Sequence, residues 1–538
     1  MPAQRTGRAG AGKVSADERF VLAVDLGTGG PKVALVAPSG RIAASAFEPV
    51  PLRLLPGGGA EQDPASWWEA VTLAAHRVVA DGAVPVDAIV GVGCTAQWSG
   101  TVAADEEGTP LRPAVIWMDS RGSRALRRQV AGPVSVLGYD VFKLRRWIRL
   151  TGGAPGQSGK DPLAHILWIR EAEPDVYGRT FKFLEPVDWL NHKLTGRFAA
   201  SHDSIVVHWV TDNRRIGAVD YDAGLIRMAG LERSKLPDLV PSATVMGNLT
   251  EAAATELGVP AGLPVATGTG DVHSAAVGSG AVADFAAHLY IGTSSWISCH
   301  VPFKKTDALR NVASIPAAIP GRYLVADEHE TAGACLTFLV RSVLSGDDGL
   351  GSALPADVYP ALDEVAASVP AGSNGALFTP WLNGERSPVD DHTIRGGFHN
   401  LSLSTTRADM VRAVYEGVAL NSRWLLGAVD RFVGRTLDPL TFIGGGANSA
   451  LWAQMHADVT GRRIRQVAEP VLANVRGAGL LTFLALGRVG VREIAESVEV
   501  AATFEPDPSP ASVYDGMYKE FVNLYKRTRQ IHRRLNRH

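Results

Sequence analysis

Cysteine is scarce in this chain of 538 residues: Cys94, Cys299 and Cys335 are three in number and far apart. An odd count at such spacing excludes a disulfide framework and a C-x-x-C metal site, and it fits a reducing, cytoplasmic compartment. Charge of one sign is lacking as well, with 53 Lys and Arg against 55 Asp and Glu and a net charge of −2. On that balance neither nucleic acid nor a membrane surface is an expected partner. No run of about 18 apolar residues occurs that could span a bilayer. The first residues, M-P-A-Q-R-T-G-R-A-G, are basic and small, without the apolar stretch of a signal peptide, so residues 1–18 read as a disordered lead-in. The common nucleotide signatures are also missing. There is no G-x-x-x-x-G-K-[ST], no strand-linked G-x-G-x-x-G and no protein kinase set, and Gly57-Gly58-Gly59 lies in a Pro-flanked loop with no helix to follow.

What is present is a globular composition, 46% hydrophobic, in a chain too long for one core. The stretch F-V-L-A-V-D-L-G-T-G-G-P-K-V-A-L-V-A-P-S-G-R-I-A-A-S-A-F predicts three strands in a hairpin meander, with no helix between the first two. Near residue 290 the pattern returns as A-A-H-L-Y-I-G-T-S-S-W-I-S-C-H-V. An echo of this kind predicts two related α/β halves, residues 19–283 and 284–490, with the boundary near 280–287. Between and after the echoes, S-W-W-E-A-V-T-L-A-A-H-R-V-V, P-L-A-H-I-L-W-I-R-E and A-D-M-V-R-A-V-Y-E-G-V-A-L-N-S-R-W-L-L predict helices. Residues 491–538 predict a helical extension, in which Tyr514, Met517, Phe521, Leu524 and Tyr525 keep the spacing of a docked face ahead of a basic end.

Four features carry chemistry. Gly27-Thr28-Gly29 and Gly292-Thr293-Ser294 are matched tight turns whose N–H and hydroxyl groups, facing each other, would cradle a polyphosphate; each alone is equally a hairpin turn. Asp25 ends an apolar strand, where an unpaired charge is expensive and a hydrated Mg²⁺ would offset the expense. Gly444-Gly445-Gly446 joins a strand to a helix and leaves room for a base and ribose, or simply for a close junction. Finally, in T-G-T-G-D-V-H-S-A-A-V-G-S-G, Asp271 falls at a strand-to-helix turn, where it is either a helix N-cap or a carboxylate that glycines leave space around.

These residues resemble, in order from about residue 20 to 490, the FGGY family of carbohydrate kinases within the actin-like, ribonuclease-H-like superfamily, most similarly its xylulose kinases. V-D-L-G-T-G-G resembles the first phosphate motif, T-A-Q-W-S-G the sugar loop, V-I-W-M-D-S-R the W-x-D-x-R segment and T-G-T-G-D the catalytic turn. I-G-T-S-S-W resembles the second phosphate motif, F-T-P-W-L-N-G-E-R-S-P the L-x-G-E-R-x-P segment, and G-G-G-A-N-S-A-L-W-A-Q-M-H-A-D the adenosine motif. The resemblance implies two actin-like α/β domains around a central cleft and γ-phosphoryl transfer from ATP to a sugar or polyol. It implies Asp271 as general base, Asp25 with Asp271 at Mg²⁺, and Gly27, Thr28, Gly29, Gly292, Thr293 and Ser294 at the phosphates. Gly445, Gly446 and Asn448 then take the nucleoside, and Gln97, Trp98, Ser99 and Val272 face the second substrate. A homodimer is compatible with the sequence, which does not determine the assembly.

Two positions depart from the xylulose kinase pattern, which usually reads Q-M-H-G at the sugar loop and asparagine after the catalytic aspartate. Here Ser99 and Val272 stand instead, which points to a different pentulose, a pentitol or a tetritol. The alternative is a sensor on the same fold without chemistry. His165, at a family lysine position, is expected on a helix surface. Trp117, Asp119 and Arg121 are expected either to line the cleft or to brace a loop, Glu385 and Arg386 to pair at a hinge, and His273 and Cys299 to be packed near the site.

Overall fold

From Phe20 to Leu26 only Asp25 interrupts an apolar run, and a strand of that kind needs cover on both faces. In the computed structural model, which describes residues 18–307, 310, 312–345, 354–355 and 357–536, the run forms β1 (Phe20–Gly27). Phe20, Leu22 and Val24 pack with Trp67, Val71 and Ala74 of α1 (Pro64–Ala80), while Ala23 faces the opposite side. The expected meander is completed by β2 (Gly30–Val36) and β3 (Ile42–Phe47), both antiparallel to their neighbours. Next come β4 (Ile89–Ala96), β5 (Val245–Asn248), β6 (Pro264–Ala266) and β7 (Thr269–Gly270), giving the order β3-β2-β1-β4-β6-β5 with β7 paired to the end of β4. The chain then enters α2 (Asp271–Gly278). The lead-in before residue 18 lies outside the described residues.

The sequence echo is a topological repeat. In the second half, β8 (Ala287–Ile291), β9 (Ser295–Val301), β10 (Thr306–Asp307), β11 (Val312–Pro316) and β12 (Tyr323–His329) precede the long helix α3 (Arg407–Val433). After it come β13 (Leu440–Ile443), α4 (Ala450–Thr460), β14 (Ile464–Val467), α5 (Ala473–Ala485), β15 (Val500–Phe504) and α6 (Ala511–Leu535). The inner order β12-β9-β8-β13-β14 repeats β3-β2-β1-β4-β6, antiparallel on one side of the first strand and parallel on the other. The C-terminal extension differs from expectation in one respect: its stretch V-A-A-T-F pairs antiparallel to β14 and covers that sheet edge, where a purely helical segment was expected. The docked helix follows as α6, with Tyr514, Phe521 and Tyr525 buried against Trp381 and Trp424.

A second feature was not legible by segment. Helix α5 belongs by sequence to the second half, yet Val475 and Ala478 pack on Ala23, Ala34 and Val36 of the first sheet. It crosses α2 backbone to backbone: a Cβ on Gly278 would collide with the carbonyl of Ala473, and one on Gly477 with the carbonyl of Ser274. Arg476, 4% exposed, fastens the crossing by donating to Gly40 O (3.1 Å), Gly278 O (3.3 Å) and Ala468 O (2.7 Å). Gly278→Ala is expected to destabilise the protein by about 1–3 kcal/mol through this clash. Gly516→Ala, on the exposed face of α6 with nothing near it, is expected to add about 0.5–1 kcal/mol. Denaturant midpoints of the two variants check both signs.

Candidate active site

Asp25 lies level with Thr95, and Gly270, the residue before Asp271, lies level with Ala96, on opposite sides of β4. Both carboxylates therefore emerge at the carboxyl ends of parallel strands, on backbones two strand spacings or roughly 10 Å apart. Asp25 is 2% exposed; its Oδ2 lies 3.4 Å from Lys32 Nζ, and its Oδ1 has no partner. The ion pair with Lys32 was missed in the sequence, although the hairpin register places the two residues opposite each other across the Gly27–Gly30 turn.

Asp271 does not cap α2. Gly270 occupies the cap position, and the Asp271 carboxylate accepts a bond from the adjacent Val272 N–H at 3.0 Å. Burial pushes its pKa up to about 7, with the negative charges of Asp25 and Glu328 adding to the effect.

The two glycine turns differ. Thr28 has no free hydroxyl: Oγ1 donates to Gln97 Oε1 (3.0 Å) and accepts from Trp117 Nε1 (3.0 Å), and Gln97 Nε2 in turn donates to Gln62 Oε1 (2.7 Å). Gly29 at the tip is exposed. In the second turn Thr293 is exposed, and only its backbone carbonyl is engaged, by Ala332 and Ala334 N–H. Gly444 and Gly446 lie directly against Ile291, the end of β8; Gly445 has open space above it, and Asn448 is exposed. Tyr290, stacked at 3.7 Å on Trp296, lies against Gly292 and Gly444, and burial, then the charges of Asp271 and Asp25, push its phenol up.

At the sugar loop, Trp98 donates to Ser204 O (2.9 Å) and meets His273 edge-on at 4.9 Å. Ser99 adopts a left-handed φ of 65°. Gln97 is 1% exposed and Val272 4%, the latter within an apolar cluster that includes Trp296. Of these four, Trp98 and Ser99 alone are partly open.

The opposite wall is built from residues whose part the sequence did not reveal. Arg386 donates to Glu328 Oε2 (2.5 Å) and Glu330 Oε1 (2.6 Å), and lies 6.0 Å from the Trp117 ring. Lys160 of the first domain reaches Glu330 Oε1 at 3.4 Å, closing an ion network across the two halves. Asp161 beside it accepts from Gly156 N–H and Trp209 Nε1, and desolvation of its carboxylate pushes its pKa up to about 6.

Two side-chain expectations change. Glu385 does not pair with Arg386; it is fully buried, accepts from Asn421, Glu330 N–H and Arg386 N–H, and is pushed up to about 8 by burial. His165 is not on a surface: it is fully buried, shares a 3.1 Å bond with Thr101, and burial lowers its pKa to about 4. Asp119 and Arg121 brace a loop, with Asp119 also accepting from Ala60 N–H. His273 and Cys299 are packed.

Residues 20–278 match the N-terminal domain and residues 287–486 the C-terminal domain of the FGGY family of carbohydrate kinases. The chain belongs to that family. It is an ATP-dependent sugar kinase with the actin-like fold that the motifs implied. It is 28% identical to a xylulose kinase of Staphylococcus epidermidis over 96% of this chain and 98% of that protein. It is 27% identical to an autoinducer-2 kinase of Photorhabdus laumondii over 94% of each. The structure of xylulose kinase from Rhodospirillum rubrum superposes with a TM-score of 0.79 at 26% identity, covering 96% of this chain and 100% of that one. Gluconate kinase from Lactobacillus acidophilus, at 20% identity, shares the fold with a TM-score of 0.81. Among the described residues no helix of this kinase is long and apolar enough to cross a membrane.

The raised pKa of Asp271 has a consequence for stability apart from catalysis. A group that binds its proton more tightly in the folded state supports folding at low pH, and that support is lost as pH rises from the unfolded value near 4 through about 7. Asp271→Asn removes the charge, so the variant is expected to gain thermal stability over wild type at pH 8 and to lose that advantage at pH 5. Paired melting curves at the two pH values test the sign.

Proposed function

We propose that this kinase transfers the γ-phosphoryl group of MgATP to a hydroxyl of a neutral short sugar or polyol, with Asp271 as general base. The observation that carries the reading is the pairing of Asp25 and Asp271 at the ends of parallel strands beside two glycine turns, with Asp271 held near pKa 7. A carboxylate at that pKa is ionised near neutral pH yet more basic than an exposed one, which suits removal of a hydroxyl proton as the oxygen attacks phosphorus in line. The unpartnered Oδ1 of Asp25 fits a hydrated cation, and so does the repulsion between the two carboxylates. Mg²⁺ held there by Asp25 and faced by Asp271 would neutralise charge on the phosphates. In this reading the Gly29 and Gly292–Ser294 backbone and the Thr293 hydroxyl hold phosphate oxygens, while the Thr28 hydroxyl holds Gln97 and Trp117 in place. Gly445, Gly446 and Asn448 border the nucleoside.

Charge and shape restrict the acceptor. Around the cleft, the carboxylates Asp25, Asp271, Glu328 and Glu330 outnumber Lys32, Lys160 and Arg386, and each of these cations is already ion-paired. An aldonate would meet repulsion with no free cation to offset it. The Trp98 face suits the C–H side of a polyol, while Ser99 is short and Val272 is turned into the apolar cluster. A pocket with so few donors tolerates a missing hydroxyl, so a pentulose other than D-xylulose, a pentitol or a tetritol is the proposed substrate. A sensor without chemistry has no use for a base held near neutrality.

Asp271→Asn is expected to lower kcat by about 10²–10⁴-fold while ADP affinity, read by calorimetry, stays within about twofold. A variant retaining half its rate would remove Asp271 from the chemistry. Thr293→Val is expected to raise the KM for ATP by about tenfold, from a lost charge-assisted bond of roughly 1.5 kcal/mol, and to leave the acceptor KM alone. Rates of ATP consumption over D-xylulose, other pentuloses, pentitols, tetritols and gluconate should place a neutral acceptor other than D-xylulose first by at least about tenfold in kcat/KM, or about 1.4 kcal/mol. Preference for gluconate would overturn the charge argument, and preference for D-xylulose the pocket argument.

A further inference from the structure

Away from the cleft, the helix Val141–Thr151 turns Trp147, Leu150 and Thr151 inward and carries Arg145, Arg146 and Arg149 on its outer side. These arginines, with Arg214 and the exposed ring of Phe142, line a cavity of about 280 Å³. Two of the four guanidinium groups are neutralised: Arg146 pairs with Asp222 at 2.7 Å and Arg214 with Asp212 at 2.6 Å. Among the described residues Arg145 and Arg149 have neither a hydrogen bond nor an ion pair from their side chains. They stand four positions apart, where like charges weaken a helix. The C-terminal carbonyls favour Arg149 in the last turn, but no ion pair or hydrogen bond among the described residues compensates Arg145. The cavity therefore holds an excess of two positive charges beside the exposed apolar ring of Phe142.

Both cationic walls are gripped by the second domain. Lys304 Nζ donates to Ile148 O (3.0 Å) and Arg149 O (3.1 Å), and Tyr323 Oη donates to Asn213 O (2.9 Å) and Arg214 O (3.3 Å). A ligand that draws Arg149 and Arg214 together would fasten two segments of the first domain at the points where the second domain holds them.

We propose that this cavity is a binding site for a small phosphate monoester, separate from the catalytic cleft, whose occupancy stabilises the contact between the two domains. A phosphate dianion matches the two unpaired charges, and guanidinium forks bind its oxygens bidentately. The carbon part of the ester lies on Phe142. Inorganic phosphate offers the same charge without that part.

Titration calorimetry and thermal unfolding on the full chain, with ribose 5-phosphate, inorganic phosphate and ribose as probes, test the assignment. Wild type is expected to bind ribose 5-phosphate more tightly than phosphate, to ignore ribose, and to gain melting temperature with the ester. The double variant Arg145→Gln/Arg149→Gln is expected to bind the ester at least about tenfold more weakly and to lose the thermal gain, with turnover in the absence of added phosphates unchanged. Phe142→Ala, which alters an exposed side chain and no charge, should weaken the ester and leave phosphate alone; it keeps the question open to test if the double variant folds poorly. Equal ester binding by wild type and the double variant would place the ligand in the cleft and overturn the site. Equal binding of ester and phosphate, untouched by Phe142→Ala, would overturn the monoester assignment.

Discussion

Two carboxylates on either side of one strand, Asp25 buried and Asp271 partly exposed, are the constraint around which the molecule is arranged. Asp25 ends an apolar strand and is 2% exposed, so its charge is poorly solvated, and it raises the energy of a second charge at Asp271. Lys32 answers for one oxygen of Asp25, and the other oxygen is left without a partner. Asp271 responds by holding its proton to about pH 7. In the proposed reading a polyphosphate with its cation would fit that imbalance, because the cation would relieve the carboxylates and the glycine turns would receive the oxygens. The absence of side chains at Gly27, Gly29, Gly445 and Gly446 is thus tied to the presence of two particular ones.

The second organising feature is the crossing of α2 and α5. Helix α2 begins at Asp271, so its path is set by the same glycine contacts that let the two domains approach. Gly278 and Gly477 allow backbone contact where any side chain would force the helices apart, and Arg476 fastens the crossing by three backbone carbonyls. The ion network of Lys160, Glu330, Arg386 and Glu328 joins the domains on the other side of the cleft. A backbone-to-backbone crossing at one end and ion pairs at the other would suit a cleft that closes by a small rotation, since ion pairs re-form more readily than packed backbone.

Much of the site was legible because its chemistry is local. A glycine turn between two apolar runs is a hairpin whatever surrounds it, and a hairpin's register also determines who faces Asp25. Repetition of V-D-L-G-T-G-G as Y-I-G-T-S-S-W predicted two related halves, because each half must bury the same kind of strand, and the folded chain repeats the inner sheet order as well. The departures at Ser99 and Val272 were visible too, although the burial of Val272 among apolar side chains was not.

What the amino-acid sequence determined by itself, then, was the two-domain actin-like class and the places of the two glycine turns and of Asp271, all carried by residues a few positions apart. Tertiary structure alone decided that His165 is buried, that Glu385 is bound to Asn421 rather than to Arg386, that the Thr28 hydroxyl belongs to Gln97 and Trp117, and that Lys160 meets Glu330. Those partners lie between 36 and 170 positions apart, the separations of Asn421 from Glu385 and of Glu330 from Lys160. No pattern of spacing encodes such pairs, because burial and partnership at that range depend on how sheets and helices stack, and only the folded chain brings the groups within reach of one another.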